Sequence, residues 1–347
     1  MKYRILGKTG LKVSEIGMGT WQLADDPNCW VGADLKESLR SLHKFVELGG
    51  NFIDTAWVYG YSSQYPSRHP SEELIGKYLK ESGKRNKIVI ATKVVPKNWK
   101  WPAWNGIPIS EVFPPKHIEK CVNDSLRSLG IETIDLMQFH VWQDYFADDD
   151  NWKNTVKKII KSGKVRFWGL SINDFQPSNC VKTIKTGLIS TVQCIFNIFH
   201  QKPKIRLFPI AKQLNIGIIT RVPLDEGGLT GKFNSATRFS SGDFRQKYFT
   251  PARLVELKKR TDNLEKLLNG EAKNLTELAL RFNLSFEEVT TVIPGMRKIG
   301  YVETNTAVSD SRILSRDLLS VLKNHAWERN FYPMPDPSLA VSNYIEQ

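Results

Sequence analysis

Eight short apolar segments recur along the chain, at 16–21, 51–56, 87–94, 133–140, 165–172, 191–197, 217–223 and 290–295. Strand-like runs alternating with helical stretches predict a parallel sheet. Eight of them over 347 residues predict closure into a (β/α)8 TIM barrel. Most of the segments end on a polar or chemically distinctive residue. Asp54 lies near the end of the second, Lys93 of the third and His140 of the fourth. Ser171 closes the fifth, Gln193 lies in the sixth, and Arg221 is near the end of the seventh. The C-terminal strand ends of a barrel form one face, so these side chains are expected to converge although they are far apart in sequence.

The rest of the chain fits this frame. Two short alternating runs, Tyr3-Arg4-Ile5-Leu6 and Leu11-Lys12-Val13-Ser14, flank a glycine-containing turn and predict a hairpin that caps the barrel bottom. Asp34 and Glu37 resemble a capping box opening a helix that ends near Gly49-Gly50. Ser71 precedes another helical run. Ile118, Val122, Leu126 and Leu129 share a helix face that should meet the barrel. Further helices are predicted at about 151–162, 176–186, 204–214, 252–268 and 274–283. Three connections are long: 57–70, 95–115 and 224–250. Long loops after barrel strands usually build the site. The whole chain reads as one barrel domain, with 309–347 (including Trp327, Phe331 and Tyr332) as an extension placed to fold back over the mouth.

Composition narrows the function. Lys and Arg exceed Asp and Glu by 13. The excess is scattered and forms no stripe interleaved with aromatics, which argues against nucleic acid as a partner. A pocket for an anionic ligand would use some of it. No apolar run is long enough to span a membrane, and the N-terminus has no signal-peptide core. Cys29, Cys121, Cys180 and Cys194 show no CxxC spacing, and Cys121 and Cys194 fall in apolar patterns. Free thiols in a reducing cytoplasm are expected.

The strand ends suggest a chemistry. In Asp54-Thr55-Ala56-Trp57-Val58-Tyr59-Gly60 a carboxylate is followed five residues later by a tyrosine. Lys93 and His140 end the next two strands. An ammonium beside a phenol stabilises tyrosinate and lowers the phenol pKa, and Asp54 would keep that ammonium charged. His140 can orient and polarise a carbonyl oxygen. Such a set can protonate an oxygen as hydride arrives at carbon. Taken singly, the Asp–Lys pair reads equally as a structural ion pair and the histidine as a core residue. It is their succession on three strand ends that points to a site. No H-x-H or HExxH spacing occurs, so no metal site is expected. Gly227-Gly228-Leu229-Thr230-Gly231-Lys232 lacks P-loop spacing but can offer backbone N–H groups and a lysine to phosphate. Ile293-Pro294-Gly295-Met296-Arg297-Lys298 runs into a helix at Tyr301–Thr306. It can hold phosphate by charge and helix N-terminus, or simply be a solvated basic turn.

These stretches together resemble the aldo-keto reductases, nicotinamide-dependent (β/α)8-barrel enzymes. The likeness rests on Gly17-Met18-Gly19-Thr20-Trp21, Asn51-Phe52-Ile53-Asp54-Thr55-Ala56 with Tyr59-Gly60, Ser71-Glu72 and Ala91-Thr92-Lys93. It continues through Ile134-Asp135-Leu136 with His140, Gly163-Lys164-Val165-Arg166, Gly169-Leu170-Ser171, Val192-Gln193, Leu229-Thr230-Gly231-Lys232 and Ile293-Pro294-Gly295 with Asn305. The resemblance spans residues 1 to about 310 in family order.

The resemblance implies roles. Tyr59 becomes the general acid, with Asp54 and Lys93 its tuning pair, and His140 positions the carbonyl. Gly19, Thr20, Trp21 and Asp54 are assigned to the cofactor, and Ser171, Asn173 and Gln193 to the nicotinamide carboxamide. Pro223, Leu224, Gly227, Leu229 and Lys232 are assigned to the pyrophosphate. Gly295, Arg297 and Asn305 take the adenosine end, with Arg297 facing the 2′-phosphate of NADPH. Trp21, Trp57, Trp99 and Trp142 are candidates for the substrate wall. Departures stand beside these. Where many members read Ser-Asn, the chain has Ser171-Ile172-Asn173. Arg221 replaces a Tyr that stacks on the nicotinamide, a role a planar guanidinium can also fill. Tyr301 takes a position that is often basic. The 60–71 and 95–115 segments are longer than usual. The implied function is NADPH-dependent reduction of a small aldehyde or ketone, with a sugar-derived carbonyl among the candidates. The competing reading is a nucleotide-binding barrel that serves as a non-catalytic regulatory or scaffolding subunit.

Overall fold

The computed structural model describes residues 1–24 and 30–327. Cys29, Phe331 and Tyr332 lie outside the described residues. The chain opens with an antiparallel hairpin, β1 (Tyr3–Ile5) and β2 (Lys12–Ser14). Eight parallel strands follow: β3 (Met18–Gly19), β4 (Phe52–Asp54), β5 (Val89–Val94), β6 (Ile134–His140), β7 (Val165–Ser171), β8 (Ile189–Ile195), β9 (Gly217–Arg221) and β10 (Val289–Val292). Each pairs with the next in sequence order. Parallel bridges Ile16–Val292 and Gly19–Gly295 bring the first strand back to the last, so the eight strands form a nearly closed barrel. The predicted (β/α)8 fold is therefore the observed one, with strands shorter than the apolar runs.

Helices fill the crossovers: α1 (Leu35–Glu47), α2 (Pro70–Ser82), α3 (Ile109–Val112), α4 (Pro115–Leu129), α5 (Asp150–Lys161), α6 (Val181–Ile184), α7 (Leu207–Gln213), α8 (Arg245–Tyr248), α9 (Pro251–Glu265), α10 (Leu275–Leu284), α11 (Ile299–Thr306) and α12 (Arg316–Leu322). Their starts follow cap chemistry. Asp34 accepts from the Lys36 and Glu37 amides, Asp149 from those of Asn151 and Trp152, and Asn274 from that of Glu277. The capping box at α1 is incomplete, because the Glu37 carboxylate turns away to accept from the Ile299 amide. Helix α2 begins on Pro70, so Ser71 lies in its first turn and is not its cap. The helix expected at 176–186 is a single turn, and α11 starts two residues before the expected Tyr301. Ile118, Cys121, Val122 and Leu129 of α4 are buried, and Leu126 is half-buried against the core. Cys180 and Cys194 are buried free thiols as well. No helix among the described residues is long and apolar enough to cross a membrane.

The hairpin closes one end of the barrel. Leu6, Leu11 and Val13 pack with Phe52, Val89, Ala91, Leu136 and Ile219 in one buried cluster. Gly7 makes this possible. Its φ is +51°, and a Cβ there would lie 2.2 Å from the Gly217 nitrogen. With the bottom filled, the opposite, C-terminal face is the one that opens. The extension reaches that side too. The Trp327 amide donates to the Phe199 carbonyl, and Arg253 and Arg260 lie over its indole. Trp327 does not line the cavity described next.

Candidate active site

Strand β4 ends on Asp54 and β5 carries Lys93 toward the same end; neither is more than 2% exposed. A lysine amine buried this way needs acceptors for three hydrogens. The Nζ donates to Asp54 Oδ1 at 2.6 Å, to the Thr55 carbonyl at 2.7 Å and to Tyr59 Oη at 3.3 Å. Asp54 Oδ2 accepts from Gln193 Nε2 at 2.7 Å and Gln138 Nε2 at 3.2 Å. The carboxylate is thereby fixed from both sides. Burial draws the Lys93 amine below the usual lysine range, and Asp54 opposes that pull. The phenol oxygen of Tyr59 accepts from Lys93, and a phenol O–H is itself a hydrogen-bond donor.

His140, at the end of β6, lies edge-on to Tyr59 and to Trp101, with ring centroids 6.0 and 4.5 Å apart. Burial, then the charges of Lys93 and Arg221, hold its pKa well below the ordinary histidine value. A neutral imidazole can donate one hydrogen bond without adding a charge to the site. Its Nδ1 is buried with no hydrogen-bond partner among the described residues.

Tyr59 and His140 stand in the wall of a cavity of about 1370 Å³. Trp21, Trp30, Trp101 and Phe244 give it an apolar flank. Trp21 stacks on Tyr59 at 5.9 Å and on Phe244 at 5.0 Å, and Arg245 lies over Trp30. From there the lining passes Gln193, Arg221, Val222, Pro223, Leu224, Glu226 and Gly227. It reaches Lys232, Lys273, Arg297 and Lys298 beside the first residues of α10 and α11. Two helix N-termini and four cations facing one space make a site for anionic groups. Gly295 lets the chain pass close to Gln22, since a Cβ there would meet that side chain at 1.9 Å. Burial and neighbouring Asp225 push the Glu226 carboxyl, beside the anion-facing loop, up to about 8. A proton-donating set at one end and an anion site at the other suit an elongated ligand with a phosphate-bearing tail.

Of the residues expected in the site, the cavity lining takes in Gly19, Thr20, Trp21, Asp54, Tyr59, His140, Gln193, Arg221, Pro223, Leu224, Gly227, Lys232, Gly295, Arg297 and Asn305. Arg221 is held there by an ion pair with Asp174 and by donation to the Ile172 carbonyl. Lys93 lies behind the wall, bonded to Tyr59 and Asp54.

The structure places the other expected residues away from the cavity lining. Trp142 is fully buried and donates to Thr183 Oγ1. The positive φ of Val141 (+78°) leaves Val141 on the cavity and sends the indole into the core. Trp57 is buried against Tyr61 and His69 and donates to Asp124. Trp99 is 46% exposed and packs on Tyr61 outside the cavity. Asn173 spends its amide on the backbone of Ala103 and Trp142 and on Gln176, because the 95–115 loop lies against it. Ser171 is buried behind the wall, 3.4 Å from Gln193 Oε1. Leu229 anchors its loop: its side chain is in the core and its amide donates to Leu224.

The sequence reading overlooked Gln138, which is buried behind the wall and donates to Asp54, and several lining residues. Gln138 lies two residues before His140 on β6, so strand alternation alone places it on the same inward face. Gln22, Trp30, Trp101, Phe244, Arg245 and Lys273 carry no comparable signal, since loop folding decides where they point.

Comparison with known proteins agrees with this architecture. The profile of the Aldo/keto reductase family matches residues 15–325. Aldo-keto reductase YhdN of Bacillus subtilis is 28% identical over 330 residues, 93% of this chain and 94% of that protein. Aldo-keto reductase yakc [NADP(+)] of Schizosaccharomyces pombe is 30% identical, covering 75% and 74% of the two chains. A probable voltage-gated potassium channel subunit beta of Arabidopsis thaliana is 27% identical over 89% and 92%. Among solved structures, the glycerol dehydrogenase AKR11B4 from Gluconobacter oxydans superposes with a TM-score of 0.75 at 29% identity. That match covers 96% of this chain and 97% of that one.

Proposed function

The chain belongs to the aldo/keto reductase family of carbonyl-directed oxidoreductases, and from that premise we propose that it is an NADPH-dependent reductase of aldehydes or ketones. The bound cofactor supplies the hydride that goes to the carbonyl carbon. The protein's own part is to hold the carbonyl and deliver a proton to its oxygen, so that an alcohol leaves. Tyr59 donates that proton. Lys93, charged through Asp54, stabilises the phenolate left behind. His140, neutral, orients the carbonyl oxygen by a hydrogen bond. Trp21, Trp30, Trp101 and Phe244 exclude water and form an apolar wall for the substrate. Arg297 and Lys298, with Lys232, Lys273 and the α11 N-terminus, bind the phosphates, and Arg297 selects NADPH over NADH.

The observation that carries this reading is the three-way donation by Lys93 to Asp54, Thr55 and Tyr59 at the base of the cavity. The test is label transfer. NADPH deuterated on the nicotinamide ring is incubated with a panel of aldehydes, ketones and sugar-derived carbonyls, and the alcohols are analysed for deuterium on the carbinol carbon. Label in a product supports the reading. The kinship with a channel subunit keeps one alternative in view, a nucleotide-binding barrel without turnover. Tight NADPH binding with no label in any product would favour it.

A further inference from the structure

The first turn of α2 does not itself line the cavity, yet it is bonded to segments at the ends of β3, β4 and β5. The Ser71 amide donates to the Tyr59 carbonyl at 3.3 Å. The Ser71 hydroxyl lies 2.9 Å from Thr20 Oγ1 and 2.9 Å from Thr55 Oγ1. Thr20 in turn donates to the Asp54 carbonyl through both its amide and its hydroxyl. The Thr55 carbonyl is one of the three acceptors of Lys93 Nζ. The next residue, Glu72, accepts from Thr92 Oγ1 at 2.6 Å, and Thr92 immediately precedes Lys93. Thr20, Thr55, Ser71, Glu72 and Thr92 are all fully buried.

Buried polar groups are expensive unless paired; the hydroxyls of Thr20, Ser71 and Thr55 pair with one another, and Glu72 Oε1 pairs with Thr92. Tyr59 sits on a loop, whose backbone alone would not hold a phenol at hydrogen-bond distance from a buried amine. The α2 turn supplies the missing constraint by fixing the Tyr59 carbonyl, the Thr55 segment and the Thr92–Lys93 step at once. We propose that Ser71 and Glu72 are positioning residues that hold Tyr59 Oη against Lys93 Nζ by tying α2 to the ends of β3, β4 and β5. The proposal rests on the reading of Tyr59 as the proton donor.

Misplacing a reacting group by about 1 Å can cost on the order of 100-fold in rate. Ser71→Ala removes the hydroxyl bridge without substituting any residue of the cavity lining. The expected result is a fall in kcat of tenfold or more, with KM for the carbonyl and Kd for NADPH within about twofold of wild type. The alkaline limb of the kcat profile should also move toward the ordinary phenol value of about 10, because the phenol lies less close to the ammonium. A purely structural loss would lower the unfolding midpoint without moving that limb. Burial raises the Glu72 carboxyl to about 7, so a glutamine mimics its protonated form and keeps the acceptor for Thr92. Glu72→Gln should therefore retain kcat, whereas Glu72→Ala should lose it as Ser71→Ala does. Thr55→Val removes the same bridge from its other side and serves if Ser71→Ala fails to fold.

Tyr59→Phe is assayed in parallel. Wild-type kcat and an unmoved limb in Ser71→Ala or Thr55→Val, with Tyr59→Phe inactive, overturn the positioning role alone. Equal losses in Glu72→Gln and Glu72→Ala overturn it for Glu72. Turnover in Tyr59→Phe overturns the acid assignment beneath it, and the positioning role with it.

Discussion

Replacing Asp54 with asparagine tests the energetics on which the site is built. Asp54 and Lys93 are an ion pair at 2.6 Å, exposed by 2% and 0%. Removing one charge of such a pair strands the other, with a typical penalty of roughly 3–5 kcal/mol. Asparagine is nearly isosteric but cannot replace the carboxylate. If its oxygen faces Lys93, its NH2 faces the Nε2 donors of Gln193 and Gln138. Lys93 is then left with the neutral Thr55 carbonyl and Tyr59 Oη, and its amine, already drawn down by burial, is drawn down further. The sign follows from proton counting. A lysine whose folded pKa lies below its unfolded value of about 10.4 binds fewer protons when folded. Stability is then lost as pH falls below about 10.4 and recovers as pH rises, by up to about 1.4 kcal/mol per pH unit. Wild type shares the direction, but Asp54 keeps its slope shallower. Urea unfolding followed by tryptophan fluorescence should show Asp54→Asn about 3–5 kcal/mol less stable near neutral pH, with the gap narrowing toward about pH 10. A loss below about 1 kcal/mol that does not change with pH would refute the reasoning. It would mean that Lys93 does not depend on Asp54 for its charge.

Three other substitutions separate the remaining roles. Arg297→Ala should weaken NADPH tenfold or more and NADH by no more than about twofold, measured by fluorescence titration; equal weakening would remove Arg297 from the 2′-phosphate. Trp142→Phe loses a buried hydrogen bond and core volume, so it should lower stability by about 1–3 kcal/mol in urea while leaving kcat/KM near wild type. Trp101→Ala should do the reverse, lowering kcat/KM with little effect on unfolding, because Trp101 lies on the cavity wall beside His140.

The barrel was legible because strand period, crossover length and polar strand ends all point to one architecture. Asp54, Lys93, His140 and Gln193 could be found for the same reason, since each sits on a strand whose register the apolar pattern dictates. Trp57, Trp99, Trp142 and Asn173 were not, and they share a cause. Each lies in or beside a long loop, where one positive φ, as at Val141, or one packed segment, as at Ala103, decides which way a side chain faces. Trp101 takes the place expected for those indoles, although nothing in the spacing of 95–115 distinguishes it from its neighbours. The role argued for Ser71 is similar. The pair Ser71-Glu72 was visible as a motif, but the hydroxyl bridge to Thr20 and Thr55 needs three segments brought together.

The most direct test of the central claim is turnover of NADPH with a carbonyl substrate by wild type and Tyr59→Phe, with cofactor affinity measured on the same preparations. The account predicts unchanged NADPH binding and a loss of kcat of at least about 100-fold in the variant, the usual scale of a missing general acid. Turnover within a few-fold of wild type in Tyr59→Phe would contradict it.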